Sequence, residues 1–231
     1  MAVAGGEPFL WQKHLNRLLD HTARLGIELA DSDSAQLESW LRELIAVNDV
    51  GEGRARITIF DESADGVWDD EGKKGSSVLI MTGTRRPVAA SLNVTVSPYS
   101  TSSVSPLAGI KSTNYVENLI AIEEARVRGF DEAIRVNERR EVVGGCLSNL
   151  FWVSGETIFT PAVSAGCIAG TTRAFLMEHF EVIESTADIT RVGEADAIYL
   201  TSAGMGVKTV RQLDDRVIPP IEHPLGAFLR F

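Results

Sequence analysis

The sequence has few cysteines and no long apolar run. Only two of its 231 residues are cysteines, Cys146 and Cys167, and neither has a close metal-ligand partner. No window approaches the ~18 consecutive apolar residues that a membrane-spanning helix needs. The first residues also lack the apolar core of a signal peptide. We therefore expect reduced thiols, a cytoplasmic location and no membrane partner.

Basic charge is also scarce. The chain has 22 Lys and Arg against 32 Asp and Glu, which gives a net charge of −10. A field of this sign repels phosphates, so binding along a nucleic acid is excluded, although a few basic groups can still hold one small phosphate. The four histidines show no metal-ligand spacing, so no metal site is predicted. The hydrophobic fraction of 44% is enough for a core and excludes a disordered chain.

The hydrophobic periodicity predicts an α+β fold, because amphipathic helices and short strands follow one another without a βαβ rhythm. Residues 97–106 contain five serines and two prolines, which is typical of a flexible linker or of a loop between two lobes. We predict a small lobe over 1–97, a Ser/Pro loop over 98–106 and a large lobe over 107–231. The acidic segment 61–74 is predicted to be an exposed, mobile loop without calcium-loop spacing. Helices are predicted over 9–26, 33–47, 114–128 and 170–180, and from 222, and strands over 54–60, 77–81, 89–96, 132–136, 140–143, 150–153, 157–160, 182–185, 197–201, 207–210 and 217–218.

Lys111 is the first candidate for chemistry. It follows the Ser/Pro loop, precedes a predicted helix and is flanked by Leu107 and Ile110. Partial desolvation by these apolar neighbours would lower the lysine pKa and make the amine nucleophilic. The alternative is an ordinary exposed lysine at the start of a helix.

Two further features could hold a phosphate. Gly170, Thr171 and Thr172 open a predicted helix, where free backbone N–H groups and hydroxyls suit an anion, although a simple helix cap is an alternative. Arg17 lies on the polar side of the first helix between leucines. It is either a solvated helix residue or a bidentate phosphate ligand.

The order and spacing of these features resemble the fold type IV pyridoxal-phosphate enzymes, the class IV aminotransferase family. This family includes branched-chain and D-amino-acid aminotransferases and aminodeoxychorismate lyase. The resemblance covers nearly the whole chain and is most specific in its centre. The matching segments are His14–Leu18, Lys111–Tyr115, Glu124–Ala125, Gly129–Ala133, Ser148–Phe151, Thr160–Pro161, Ile168–Arg173, Val210–Asp215 and His223–Leu225.

The resemblance implies a role for each matched residue. Lys111 would form a Schiff base with pyridoxal 5′-phosphate and then move a proton between the substrate and the cofactor, while Tyr115 would lie near the cofactor. The cofactor phosphate would be held by Arg17, by the backbone of Thr171 and Thr172, and by Ser202. The implied architecture has two α+β lobes with the site between them, and the implied assembly is a homodimer. The implied reaction moves an amino group between an amino acid and a 2-oxo acid.

The chain departs from the family pattern at three places. Gly144 stands where the family has a glutamate that pairs with the pyridine nitrogen, and a protonated ring is a better electron sink. Glu141 would replace it only if a bulge turned the strand. Ala203 stands where a Ser or Thr commonly contacts the phosphate, and the segment before His14 is shorter than in the family. Pyruvate elimination, as in aminodeoxychorismate lyase, and a member without catalytic activity therefore remain alternatives.

Overall fold

In the computed structural model, the described residues are 1–27, 29, 33–61, 76–85 and 87–229. The chain divides into two compact units, Met1–Pro87 and Val88–Phe231. The predicted acidic loop lies outside the described residues, apart from Asp61. Among the helices that the structure describes, none is long and apolar enough to cross a membrane.

The first unit packs two helices against a four-stranded antiparallel sheet with the strand order β2-β1-β3-β4. The core contains Leu37, Leu41 and Ile45 from the second helix, together with Trp11 and Leu15 from the first. These residues recur at helical spacing, which is why both helices were predictable from the sequence. The elements are β1 (Ala2–Ala4), β2 (Glu7–Pro8), α1 (Trp11–Arg24), α2 (Asp33–Val47), β3 (Gly53–Asp61) and β4 (Ser76–Thr84).

Two short strands, β1 and β2, precede α1 and were not predicted. Val3 of β1 lies opposite Gly53 of β3, and the Val3 side chain is fully buried. Strands of two or three residues are too short to show an alternating pattern, so no periodicity indicates them.

The described residues of the second unit form nine strands in one mixed sheet, with the order β10-β9-β8-β11-β12-β5-β6-β7 and β13 paired to β12. It contains β5 (Ser91–Val96), α3 (Val116–Val127), β6 (Glu132–Val136), β7 (Val142–Gly145), β8 (Asn149–Ser154), β9 (Thr157–Pro161), a 3₁₀ helix (Val163–Ala165), α4 (Thr171–His179), β10 (Val182–Ser185), α5 (Ile189–Gly193), β11 (Ala197–Ser202), β12 (Gly206–Leu213), β13 (Arg216–Val217) and α6 (Pro224–Ala227).

The sheet is curled, and apolar side chains of six of its strands form one core on one face. This core includes Val94, Ile134, Trp152 and Leu200. On the other face, Leu176 of α4 packs with strand residues that include Tyr199 of β11. The predicted α+β class is therefore confirmed, with parallel and antiparallel strand pairs in the same sheet.

The division between the units falls about ten residues before the Ser/Pro segment that was predicted as the boundary. The reason is β5, which pairs with both β12 and β6 and so belongs to the second unit. The Ser/Pro segment runs alongside β6 and is hydrogen-bonded to it. The Ser97 and Thr101 amides donate hydrogen bonds of 2.9 Å to the carbonyls of Ile134 and Val136. Of the two alternatives, a flexible linker and a loop, the structure therefore favours an ordered loop.

Candidate functional site

Lys111 lies in the irregular segment between the Ser/Pro loop and α3. Its Nζ donates a hydrogen bond to the Tyr115 hydroxyl and lies 4.0 Å from the centroid of the Tyr115 ring. The structure therefore brings two predicted site residues together. The Lys111 side chain is exposed in this chain, so the predicted desolvation by Leu107 and Ile110 is not observed. Ile110 is buried, but Leu107 is itself exposed.

A buried guanidinium holds both ends of the Lys111 segment. Arg135 of β6 is 3% exposed, and its Nε donates to the Tyr99 carbonyl at 3.2 Å. One terminal nitrogen donates to Asn118 Oδ1 in α3 at 2.8 Å, and the other lies 3.4 Å from the Ser100 carbonyl. Arg135 therefore fixes the chain before and after Lys111.

The start of α4 has the features expected of an anion site. Gly170 is the N-cap and offers no side chain, and the first turn contains no acidic residue. Thr171 and Thr172 follow as the first two helical residues, and both are buried. Neither threonine is the cap, so the alternative of a simple Thr cap does not describe this helix end. The positive end of the helix dipole is not neutralised by a first-turn carboxylate.

Arg173 anchors the same helix end. It is buried, forms a 2.9 Å ion pair with Glu184 and donates to the Pro161 carbonyl at 3.1 Å. These contacts fix the first turn of α4 against β9 and β10.

Ser202 and Thr201 end β11. Ser202 is half-buried, whereas the Thr201 hydroxyl is fully buried and has no hydrogen-bond partner among the described residues. Ser202 is therefore the more accessible of the two hydroxyls.

Arg17 belongs to the first unit, whereas the other predicted site residues belong to the second. It is half-buried on α1, one helical turn after His14. Burial lowers the pKa of Arg17, and among the described residues it forms no ion pair. A desolvated cation of this kind is stabilised by an anionic ligand.

Gly144 cannot be replaced by a larger residue without strain. Its φ is +153°, and a Cβ there would lie 2.9 Å from the Ser148 carbonyl oxygen. The register of β6 and β7 does shift beside it, which is the bulge that Glu141 would need. Glu141 is nevertheless engaged elsewhere, because Oε2 accepts from Arg139 and from Asn137 Nδ2, both at 2.7 Å. The described strand therefore has no substitute carboxylate at this point.

The sequence analysis assigned no role to three residues that shape the site: Asn149 and Glu132, which lie within matched segments, and Arg135. Glu132 and Arg135 carry a signal, because two charged residues in a five-residue strand that is otherwise apolar must be buried with partners. Asn149 lies in the matched segment Ser148–Phe151, but its contacts were not predictable, since they are with residues about 20 positions further along the chain.

Comparison with known proteins decides the family. The family described as amino-transferase class IV matches residues 1–213. The chain belongs to this family. The match spans the first unit and most of the second.

Both activities of the class IV family occur among the relatives. A Methanocaldococcus jannaschii protein with the provisional name branched-chain-amino-acid aminotransferase is 25% identical, covering 92% of this chain and 76% of its own length. The aminodeoxychorismate lyase of Bacillus subtilis is 26% identical, covering 91% and 74%. The crystal structure of 4-amino-4-deoxychorismate lyase from Pseudomonas aeruginosa has a TM-score of 0.86 at 25% identity, covering 96% of this chain and 84% of the other. The fold type IV prediction is confirmed, and the relatives do not separate transferase from lyase.

Proposed function

We propose that this protein binds pyridoxal 5′-phosphate through Lys111 and transfers an amino group between an amino acid and a 2-oxo acid. The observation that carries the proposal is the pairing of Lys111 with Tyr115 in a class IV fold. Lys111 is exposed, and a lysine amine can form a covalent bond to an aldehyde. The Tyr115 hydroxyl and ring hold the amine in one place.

The residues of the second unit fit the phosphate end of the cofactor. The amides of Thr171 and Thr172 open α4, where the dipole and the absence of a first-turn carboxylate suit an anion. Ser202 contributes an accessible hydroxyl. Arg17 belongs to the first unit and is proposed as a phosphate ligand from the family resemblance alone; burial lowers its pKa, and an anionic ligand would stabilise its charge. One phosphate requires only these groups, so a net charge of −10 is compatible with it.

When bound, pyridoxal phosphate supplies an aldehyde for the substrate amine and a conjugated ring that accepts electrons. Lys111 would hold the cofactor through its amine, and the same amine would move a proton at the reacting carbon of the substrate. Tyr115 orients the lysine amine for these steps. The ordered loop that carries Lys111 keeps the amine in one position.

The residues expected near the pyridine nitrogen of the cofactor fit it less well. Gly144 supplies no carboxylate, and Glu141 is held by Arg139 and Asn137. Without an acidic partner the ring nitrogen is less protonated, so the ring withdraws electrons less strongly. We therefore expect transfer to be slower than in a class IV enzyme that has a glutamate at this position.

Pyruvate elimination is the second candidate function. It is favoured by the two lyases, which match at 25–26% identity over more than nine-tenths of this chain. Elimination would use the same lysine, so the lysine does not discriminate between the two reactions. The products do: transfer gives a new amino acid, and elimination releases pyruvate.

The proposal is tested by trapping the cofactor. The protein is incubated with pyridoxal phosphate, reduced with borohydride and digested, and the modified peptide is identified by mass spectrometry. We expect the adduct on Lys111, with no adduct in Lys111→Ala and an unchanged adduct in the control Lys13→Ala, which removes a half-buried lysine of α1. Unreduced samples of the same proteins are then assayed for amino transfer and for pyruvate release. An unmodified Lys111 in the wild-type protein would contradict both functions and favour a member without catalytic activity.

We further propose that the protein is a homodimer. α3 presents three exposed apolar side chains, Val116, Leu119 and Ile120, at 61%, 52% and 52% exposure in the single chain. Burial of such a face in a second copy would be favourable. Light scattering should give twice the mass of the chain, and Leu119→Asp should shift the mass toward one copy. The control is Glu123→Gln on the same helix. A monomeric wild-type protein would contradict the proposal.

A further inference from the structure

Asn149 connects the turn after β7 to the turn before α4. It is the first residue of β8, and its Nδ2 donates a 2.7 Å hydrogen bond to the Ile168 carbonyl. Its Oδ1 lies against Gly170, so closely that a Cβ at Gly170 would overlap it. One side chain therefore contacts two of the three residues immediately before Thr171.

The position of Asn149 is itself fixed by the buried carboxylate of Glu132. Oε1 of Glu132 accepts from the Cys146 amide at 3.0 Å, and Oε2 accepts from the Leu147 amide at 3.3 Å and the Ser148 hydroxyl at 3.5 Å. These bonds hold the turn that leads directly into Asn149. Burial raises the pKa of Glu132, and the amide donors oppose that rise.

The contact also explains the glycine at the helix cap. Gly170 has φ −69° and ψ 145°, a conformation that any L-residue adopts, so its backbone does not require glycine. What excludes a side chain there is the Asn149 amide. The amides of Thr171 and Thr172 therefore point from a helix end whose position is set by Asn149.

We propose that Asn149 is the positioning residue of the phosphate-binding turn, so that it controls recognition of the phosphate rather than of the pyridine ring. The inference rests on the proposed function. It predicts that Asn149→Ala weakens pyridoxal phosphate binding by about tenfold, the equivalent of one charged hydrogen bond. Binding of pyridoxal should change by less than about twofold, because pyridoxal has no phosphate for this turn to bind.

The experiment titrates the full chain with each ligand and compares the two Kd values. Asn137→Ala is the matched control, because Asn137 is also an asparagine that donates to a carbonyl of the same loop, that of Ala165, at 3.1 Å. The control should lose stability and keep the wild-type ratio of Kd values. Equal losses for both ligands in Asn149→Ala, or an unchanged ratio, would overturn the inference.

A second variant tests the same contact from its other side. Gly170→Ala should reproduce the selective loss, because the new Cβ displaces Asn149. The Kd of the double variant for pyridoxal phosphate should be no higher than that of Asn149→Ala alone, since alanine at position 149 removes the overlap with the new Cβ. Additive losses would overturn the inference, and this cycle remains informative if Asn149→Ala is poorly folded.

A third measurement does not depend on the cofactor. Inorganic phosphate should slow hydrogen exchange at the amides of Thr171 and Thr172 in the wild-type protein and not in Asn149→Ala. If Lys111 forms no adduct while this protection is seen, the proposed function fails and the role of Asn149 stands. If phosphate protects both proteins equally, or neither, the role of Asn149 fails.

Discussion

Arg135 and Gly144 lie directly opposite each other in the antiparallel pair of β6 and β7. The guanidinium is buried, and its hydrogen bonds go to two carbonyls and one amide oxygen. At the position where the class IV resemblance implies a carboxylate, this chain has a glycine with a buried cation as its cross-strand neighbour. A carboxylate at position 144 would therefore stand opposite a buried guanidinium whose hydrogen bonds already go to other acceptors.

Restoring the acid by Gly144→Glu should destabilise the protein. A side chain at φ +153° is strained, and its Cβ would lie 2.9 Å from the Ser148 carbonyl oxygen. We expect the free energy of unfolding in urea to fall by about 1–3 kcal/mol, the usual cost of such a backbone conformation. Gly193→Glu is the control, because nothing lies within 4 Å of a Cβ at that position. A Gly144→Glu protein with wild-type stability would contradict this prediction.

Replacing Arg135 by methionine should loosen the segment that carries Lys111. The change removes the hydrogen bonds that Arg135 donates to the Tyr99 carbonyl and to Asn118 Oδ1, and we expect the free energy of unfolding to fall by about 3 kcal/mol. Arg135→Lys should recover only part of it, because an ammonium lacks the planar fork. Limited proteolysis at Lys111 should become faster in both variants. Arg126→Met, which removes an exposed ion pair with Glu123, should have little effect. Equal cleavage rates in all these proteins would argue against the role of Arg135.

Acid should destabilise the first unit through His14. Burial, the N-terminal ammonium and Arg17 lower the pKa of His14 from 6.5 to about 2. The folded state therefore binds fewer protons than the unfolded state below pH 6.5, so this stability is present above that pH and is lost as the pH falls. Between pH 6.5 and 5.5 the loss should be about 1 kcal/mol.

The measurement is the free energy of unfolding in urea at several pH values. His14→Gln should flatten the dependence between pH 6.5 and 5, because its side chain does not titrate. The exposed histidine His179 provides the control variant, His179→Gln, which should keep the wild-type slope. The same slope in His14→Gln and wild type would show that His14 is not the group responsible.

Both cysteine thiols should resist alkylation in the folded protein. Burial raises the pKa of Cys146 to about 12, and the nearby Glu132 charge adds to the rise. Burial also raises the pKa of Cys167. At pH 8 roughly one Cys146 thiol in ten thousand is ionised, so iodoacetamide should react slowly until the protein is unfolded in guanidinium. Rapid labelling of the native protein would contradict the buried positions.

The sequence predicted most of the long elements because their periodicity is local. α1, α2, β6 and β10 lie where the spacing of apolar residues placed them. Trp40 shows the limit of that spacing, because it shares the apolar pattern of α2 but is 46% exposed. The five-residue α5 was missed, although Asp188 caps it by accepting from the Arg191 amide at 3.0 Å.

The candidate site was predictable only in part. Lys111 and Tyr115 were found together because they belong to one short motif. The supporting contacts of Asn149 and Arg135 join distant parts of the chain, and no single-sequence pattern reports such pairs. The unit boundary lies elsewhere than predicted for a similar reason. Composition identifies an irregular segment, but it does not show which strand that segment is hydrogen-bonded to.

The Ser/Pro loop has a consequence for the kinetics of ligand capture. Its backbone is hydrogen-bonded to β6, and the Ser103 amide donates to Glu138 at 2.9 Å. Arg135 also donates to Asn118 in α3, which lies after Lys111. The loss of chain entropy in this loop is therefore already part of folding and is not repeated when a ligand arrives. Association at Lys111 should be limited by diffusion and chemistry, with no slow ordering phase, although the loop has the composition of a flexible linker.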